Sequence, residues 1–189
     1  MPHVVASITE AETFLAAHPD LVTVDLLLPD QHGVLRGKRI PARELLKVYE
    51  QGLYLPGSVF ALDINGNTVE STGIGFDTGD CDQPCRVIPN TLTMVPWQDK
   101  PMAQCLITME NVPGEAYFAN PRHILDRICD QFQDQGLTPM VAVELEFYLT
   151  DTKRLDSGLL QPPIAPITGL READTQVYAV DNLDDYSVL

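Results

Sequence analysis

Two acidic residues stand inside an apolar run in the last third of the chain. The run is VAVELEFYL, residues 141–149, and the acids are Glu144 and Glu146. Its β-branched and aromatic residues favour an extended strand, in which alternate side chains share a face. The two carboxylates would then lie on one face, roughly 6 to 7 Å apart. Like charges this close repel unless a counter-charge lies between them, so the pair predicts a site for a hard divalent cation.

The same alternation has a plainer interpretation. Any half-buried antiparallel strand alternates apolar and charged residues, and spacing alone favours a solvated strand over a metal site. Two carboxylates also cannot complete the octahedral oxygen shell of Mg²⁺. The neighbouring sequence has to decide between the two interpretations.

Other charged residues are better explained by structure than by chemistry. Arg36 and Lys38, with Arg39 beside them, would share a strand face and could steer phosphate, but a solvated rim or an intersubunit salt bridge is the favoured interpretation. Arg122 is four residues from Asp126, a spacing that predicts an ion pair on a helix.

The histidines and cysteines do not form a metal motif. No pair of them continues into a second pair at the spacing of a zinc finger, so we expect surface or turn histidines and reduced thiols. These residues are His3, His18, His32, His123, Cys81, Cys85, Cys105 and Cys129.

Composition limits the partners of the chain. Its 189 residues include 27 Asp and Glu against 12 Lys and Arg, which gives a formal net charge of -15. This charge repels phosphate backbones and anionic lipid surfaces, so we expect no nucleic-acid or membrane partner. No apolar run approaches the length that spans a bilayer, and no signal-peptide pattern is visible. We expect a cytoplasmic protein.

The N-terminal half predicts a small sheet. Residues 8–18 have the pattern of a short amphipathic helix. Residues 21–28 and 34–40 are β-prone and flank the turn-rich segment PDQHG, which predicts a hairpin. A second helix should begin near Pro41 and end at Gly52. A hairpin followed by a helix is the beginning of a β-grasp domain.

Further strands are predicted at 59–64, 86–97 and 102–109. Trp97 is expected to anchor the core of this domain. The turn residues at 111–114 then mark a domain boundary.

A helix and an irregular segment surround the glutamate strand. Asn120 should cap the helix, with Pro121 at its first position and Gly136 at its end. After the glutamate strand, the proline-rich residues 151–175 read as a loop and 176–180 as a short strand.

The order of these pieces resembles the glutamine synthetase family, from about residue 20 onward. The motifs that carry the resemblance are LRGKRIPA (35–42), IPNTLTMVPW (88–97), NPRHILDRI (120–128) and VAVELEFYL. The Pro-Arg-x-x-Leu helix start followed by the Glu-x-Glu-Phe strand is the most diagnostic part.

The resemblance implies an α+β fold and a ligase activity. An N-terminal helix (1–19) would precede a β-grasp domain (20–113) and the first part of a catalytic domain with an antiparallel sheet and helices (114–189). In this family ATP phosphorylates the γ-carboxylate of glutamate, an amine displaces the phosphate, and Mg²⁺ or Mn²⁺ neutralises the phosphoryl charge. The active site lies at the interface of a homo-oligomer.

The resemblance also assigns the two glutamates. Glu144 corresponds to a ligand of the metal on the ATP phosphates, and Glu146 to a ligand of the metal nearer glutamate. The other ligands and the substrate arginines of the family have no counterpart in these 189 residues. We therefore expect an N-terminal part of a longer enzyme that is inactive alone, with no catalytic residue of its own beyond the metal ligands.

One departure from the family concerns the amine. Ammonia-using members carry Asp-Gly-Ser-Ser where this chain has Pro56-Gly57-Ser58-Val59, and proline offers no carboxylate for ammonium. Asp63 or Asp80 could take over that role. The simplest inference is a bulkier amine, as in the γ-glutamylpolyamine and γ-glutamylputrescine synthetase branch, which the chain resembles most. The alternatives are an ammonia-using glutamine synthetase and an inactive β-grasp protein that works by association.

Overall fold

The computed structural model describes residues 5–172 and 179–188 of the chain. These residues form two compact units that divide between Pro139 and Met140. The domains predicted above divide at 113 and 114 instead; compactness and family boundaries are different properties, so that division stays a prediction. Within the described ranges, no helix is both long and apolar enough to cross a membrane.

The first unit is a mixed sheet with helices. Its elements, in chain order, are α1 (Ile8–Ala17), β1 (Thr23–Pro29), β2 (Leu35–Pro41), α2 (Leu45–Gln51), β3 (Leu53–Pro56), β4 (Asp82–Val87), β5 (Thr93–Met94), β6 (Met102–Met109) and α3 (Pro121–Asp134). The strand order is β2-β1-β6-β4-β3, with β5 also paired to β6. β1 and β6 are parallel, and the other pairs are antiparallel. The predicted hairpin, first three helices and strand at 102–109 are confirmed.

The core lies on one face of the sheet because the central strands alternate. In β1, Val24, Leu26 and Leu28 are buried while the residues between them are partly exposed. Helix α2 adds its own apolar side chains to this core, which explains why a seven-residue helix is stable here. The buried residues of α2, β4 and β6 in the cluster are Leu45, Val48, Tyr49, Cys85, Val87, Ala103, Cys105, Ile107 and Met109.

Two predictions for this unit are wrong. The strand expected at 59–64 is replaced by a 3₁₀ helix, Gly57–Ala61, followed by a single bridge between Leu62 and Thr68. Trp97 does not anchor the core, since 69% of its surface is exposed. It lies in the turn between β5 and β6, where Val95 takes the buried position instead.

Helix α3 begins and ends as predicted. The side chain of Asn120 caps it by accepting a hydrogen bond from the amide of Arg122 at 3.1 Å. Pro121 occupies the first position, where a missing amide costs nothing. The chain leaves the helix through Gly136, whose φ of 71° suits glycine.

The glutamate strand is not present in the second unit. Residues 141–149 have no strand pairing, and all their side chains are exposed; Leu145, for example, is 84% exposed. A strand requires a neighbour to satisfy its amides and carbonyls, and no described residue pairs with this segment. The prediction that Glu144 and Glu146 share one face of a paired strand is therefore wrong for this chain.

The rest of the second unit is mostly irregular. A loop was predicted for residues 151–175, and the described part of that segment, 151–172, agrees with it. The unit contains one bridge, between Ile164 and Arg171, and a short helix α4, Asp181–Asp184. The strand predicted at 176–180 falls largely outside the described residues.

The geometry of the hairpin predicts that the stability of the fold depends strongly on Gly37. Its φ is 142°, and a Cβ atom there would run into the backbone carbonyl oxygen of Leu26 on the neighbouring strand. We expect Gly37→Ala to lower the free energy of unfolding by about 3 kcal/mol, at the upper end of what backbone strain costs. Urea denaturation measures the change.

Gly33 in the turn of the same hairpin is the matched control. Its φ is 76°, but a Cβ atom there would meet nothing within 4 Å. Gly33→Ala should cost only about 1 kcal/mol, the conformational penalty alone. Equal losses in the two variants would contradict the proposed clash.

Candidate functional site

The predicted metal ligands are exposed. Glu144 and Glu146 both lie on the surface of the second unit. Carboxylate oxygens are the donors that Mg²⁺ and Mn²⁺ prefer, so the donor type fits a hard cation. The number does not, because no group of three His, Cys, Asp or Glu residues that could hold a metal ion occurs in the described part of the chain. That Glu144 and Glu146 are metal ligands therefore stays a prediction.

The loop after β3 is the second place where function was predicted. The amide of Gly57 donates to the carbonyl of Cys81 at 3.2 Å, and the amide of Ser58 donates to the carboxylate of Asp80 at 3.3 Å. A Cβ atom on Gly57 would lie 2.5 Å from the hydroxyl oxygen of Tyr117. The Pro56-Gly57-Ser58 turn is therefore packed between the 80–81 segment and Tyr117.

The two acids that could replace the missing aspartate, Asp63 and Asp80, have different surroundings in the structure. Asp63 is held in its own turn, where its carboxylate accepts hydrogen bonds from the amides of Asn65 and Asn67 and from the Asn67 side chain. Those hydrogen bonds, led by the side chain of Asn67, lower the pKa of Asp63. Only Asp80 contacts the loop that contains Pro56.

Arg36 belongs to a structural pair. Its Nε donates to Asp30 at 2.9 Å, and the Asp30 side chain is almost fully buried. Burial by itself would raise the pKa of Asp30, but hydrogen bonds from the amides of His32 and Val34 and from Arg36 outweigh it and lower that pKa. Asp30 thus closes the hairpin turn.

The other two cations of the basic cluster are also engaged within the unit. Arg39 donates to both carboxylate oxygens of Asp25, its cross-strand partner, at 2.6 and 2.9 Å. Lys38 donates to the backbone carbonyl of Tyr54 at 3.0 Å. The favoured interpretation of this cluster as structural is supported, although the pairs form within the chain.

His123 was expected at the surface or in a turn, and this prediction is wrong. The residue is 1% exposed, and its Nε2 lies 2.9 Å from the carbonyl oxygen of Met109. Since a carbonyl only accepts, Nε2 carries a hydrogen. The carboxylate of Asp126, predicted to pair with Arg122, lies 3.8 Å from Nδ1 of His123.

A buried polar network surrounds this histidine. The hydroxyl oxygen of Thr108 on β6 lies 3.0 Å from His123 Nε2 and accepts a hydrogen bond from Asn120 Nδ2 at 3.0 Å. Thr108 is 5% and Asn120 2% exposed. Sequence reasoning identified Asn120 as a cap but missed its second role. The only signal in the sequence was that His123 falls in the first turn of the predicted helix. The structure shows that it faces β6 from there.

A second buried acid, Glu110, was also missed. It is 1% exposed, and its nearest cation is Arg86, whose Nε lies 3.9 Å from Oε2. Burial, and second the charge of Glu110, raise the pKa of the neighbouring Cys85 thiol to about 12. Burial thus favours the protonated form of the Cys85 thiol, which is a poor nucleophile. All four cysteines carry free thiols.

Comparisons with known proteins point to one family. The family described as "Glutamine synthetase, catalytic domain" matches residues 118–189. The chain is 44% identical over 178 residues to the γ-glutamylputrescine synthetase of Escherichia coli, covering 94% of this chain and 38% of that protein. It is 37% identical over 136 residues to the γ-glutamylethanolamide synthetase of Streptomyces coelicolor, covering 70% of this chain and 29% of the other.

The fold has a counterpart among solved structures. The glutamine synthetase of Plasmodium falciparum superposes with a TM-score of 0.51 at 18% identity, over 72% of this chain and 24% of that one. At this identity the likeness concerns the fold alone. The chain thus spans well under half the length of each of these proteins.

The network around Thr108 predicts that removing its hydroxyl group will destabilise the fold. Thr108→Val keeps the shape of the side chain but removes the oxygen that accepts from Asn120, which leaves a buried amide without that partner. We expect the free energy of unfolding in urea to fall by about 1 to 3 kcal/mol.

Thr93→Val on the exposed strand β5 is the control. Thr93 is exposed, so the same change there should stay within about 0.5 kcal/mol of the unsubstituted chain. A Thr108→Val variant as stable as this control would show that the buried hydroxyl contributes nothing.

Proposed function

Since this chain belongs to the glutamine synthetase family, we propose that its protein is an ATP-dependent ligase that joins the γ-carboxylate of glutamate to a primary amine. The observation that carries the proposal is the 44% identity, over nearly the whole chain, to a γ-glutamylputrescine synthetase. A second relative is named for ethanolamine rather than putrescine. Both names describe the joining of a glutamyl group to a primary amine, so the proposal extends to polyamines and other primary amines.

The proposed reaction has two steps. A γ-carboxylate oxygen of glutamate attacks the γ-phosphorus of ATP, the bond to ADP breaks, and γ-glutamyl phosphate forms. The unprotonated nitrogen of the amine then attacks the acyl carbon, phosphate leaves, and the nitrogen loses a proton to give the amide. The first step brings two anionic groups together and the second develops negative charge on the acyl oxygen, and both are costly without cations or oriented dipoles nearby.

We propose Glu144 and Glu146 as metal ligands in the complete site. Their exposed carboxylates are hard oxygen donors on a segment that falls within the matched catalytic-domain residues. A bound Mg²⁺ or Mn²⁺ would supply charge neutralisation at the transferring phosphoryl group. The side chains of this chain would hold it from one side only, because the described residues offer no third ligand.

The first unit fits a β-grasp domain. Its hairpin is followed by a helix, and its last strand, β6, lies parallel to its first, β1. We therefore keep the predicted division into a helix at 1–19, a β-grasp domain at 20–113 and a catalytic domain from 114. We also propose a cytoplasmic homo-oligomer whose active sites form between subunits; free thiols at all four cysteines suit a reducing compartment.

An amine panel tests the proposal. The full-length protein, incubated with ATP and glutamate, should release phosphate with putrescine or ethanolamine and much less with ammonia. The reason is that Pro56 offers no carboxylate where ammonia-using members have one. Phosphate release and detection of the γ-glutamyl amide measure the outcome. Activity with ammonia alone would favour an ordinary glutamine synthetase, and no activity with any amine would favour an association role.

Substitution of the glutamates tests the metal assignment. Glu144→Gln or Glu146→Gln in the full-length protein should lower kcat on the order of 100-fold, the scale of losing one group that stabilises transition-state charge. The Mg²⁺ concentration needed for half-maximal activity should rise as well. Glu12→Gln, on the exposed side of α1, is the control and should change neither. Unchanged metal dependence in the 144 and 146 variants would exclude them as ligands.

A further inference from the structure

Trp97 presents its indole ring to water on a rigid turn. It is the one tryptophan of the chain, and it is 69% exposed. The amide of Val95 donates to the carbonyl of Met102 at 2.8 Å, which closes the turn between β5 and β6. The amide of Val22 donates to the carbonyl of Pro101 at 2.9 Å, which ties the turn to the start of β1. A large ring on a fixed backbone loses little freedom on binding, so it is suited to anchor an interface.

An open groove runs along helix α1 in the same unit. Its volume is about 670 Å³, a size that accepts organic groups. Its apolar walls are Val5, Phe14, Ala17 and Pro89. Val5 is 45% exposed, so apolar surface faces water here, and covering such surface favours association. We call this feature the α1 groove.

Glu10 gives the α1 groove a polar group that matches an indole. Its carboxylate lines the groove and accepts hydrogen bonds from the hydroxyl of Tyr49 and from the amide of Asn90, each at 3.2 Å. A carboxylate has about four acceptor sites, so these two donors leave room for others. An indole carries one N–H donor, which needs an acceptor when the ring is buried. The groove thus offers both apolar contact and an acceptor.

The ring and the groove border the same short strand. Pro89 and Asn90 of the groove precede β5, and Trp97 follows it, so they lie at most roughly 25 Å apart along the chain. Trp97 does not line the groove of its own chain. A two-fold axis beside β5 lets each of two copies place its ring in the groove of the other, as an isologous contact. Asp99 and Lys100 in the turn cancel in charge, so the turn adds no net repulsion.

We propose that the chain forms a two-fold dimer in which Trp97 of each copy occupies the α1 groove of the other and donates its N–H to Glu10. This contact goes beyond the proposed ligase function and does not depend on it. Each indole buries roughly 150 to 250 Å². Two rings and the surface they cover fall at the low end of specific interfaces, below about 1,200 Å². The dimer should therefore form at micromolar concentrations.

The single tryptophan allows a direct test on the 189-residue chain. Sedimentation velocity and tryptophan fluorescence are measured from about 1 to 500 μM, a range that brackets a micromolar dissociation constant. As the dimer forms, the emission maximum of Trp97 should move to shorter wavelength, and iodide should quench it less. Both changes should follow the sedimenting dimer, because the ring leaves water only in that species.

Two alanines on α1 provide a matched pair of variants. Both are exposed, but Ala17 lines the groove and Ala16 does not. Ala17→Arg fills the groove and should raise the dissociation constant of the dimer at least about 30-fold, the scale of losing an interface hot spot. Ala16→Arg should leave the dissociation constant and the Trp97 emission unchanged. Trp97→Ala should abolish the dimer but keep the free energy of unfolding in urea.

Three results would overturn the proposal. A chain that stays monomeric over the whole range has no such contact. A dimer with unchanged Trp97 emission uses another surface. A dimer that persists in Ala17→Arg with its emission still shifted places the ring outside the α1 groove. None of these results bears on the amine-ligase function, which the amine panel tests separately.

Discussion

A single buried hydroxyl, that of Thr108, joins the sheet to the helix that follows it. It stands on β6 and contacts both the capping side chain of Asn120 and the ring of His123. Buried polar groups are costly unless satisfied, so this arrangement fixes the start of α3 at one position on the strand. β6 is in turn fixed by its parallel pairing with β1. The position of α3 therefore depends on contacts between residues far apart in the sequence.

The elements that could be predicted are those with local signals. The hairpin follows from turn residues between two β-prone runs, and α3 follows from a capping asparagine, a proline at its first position and a glycine at its end. Gly52 ends α2 for the same local reason, with a φ of 73°. These signals act within a few residues and do not need the rest of the fold.

The failures have the opposite character, because each depends on what lies nearby in space. Trp97 is large and apolar, as core residues are, but it lies in an exposed turn. His123 is polar, as surface residues are, but it is buried against β6. Residues 141–149 have every intrinsic property of a strand and no partner among the described residues. For the site, the two glutamates were chosen by residue type alone and their role stays a prediction, whereas the proximity of Asp80 to Ser58 depends on how the chain between them folds back.

The exposed segment at 141–149 has a consequence for handling the isolated chain. It is nine residues long, contains no proline and presents a row of unpaired backbone groups beside apolar side chains, which are the properties of segments that stack into cross-β fibrils. In-register stacking would place each Glu144 and Glu146 about 4.8 Å from its copy in the next chain, where like charges repel. Charged residues within an apolar, strand-forming segment oppose such stacking, so the two carboxylates also make this segment less prone to fibril formation than its apolar residues alone would be.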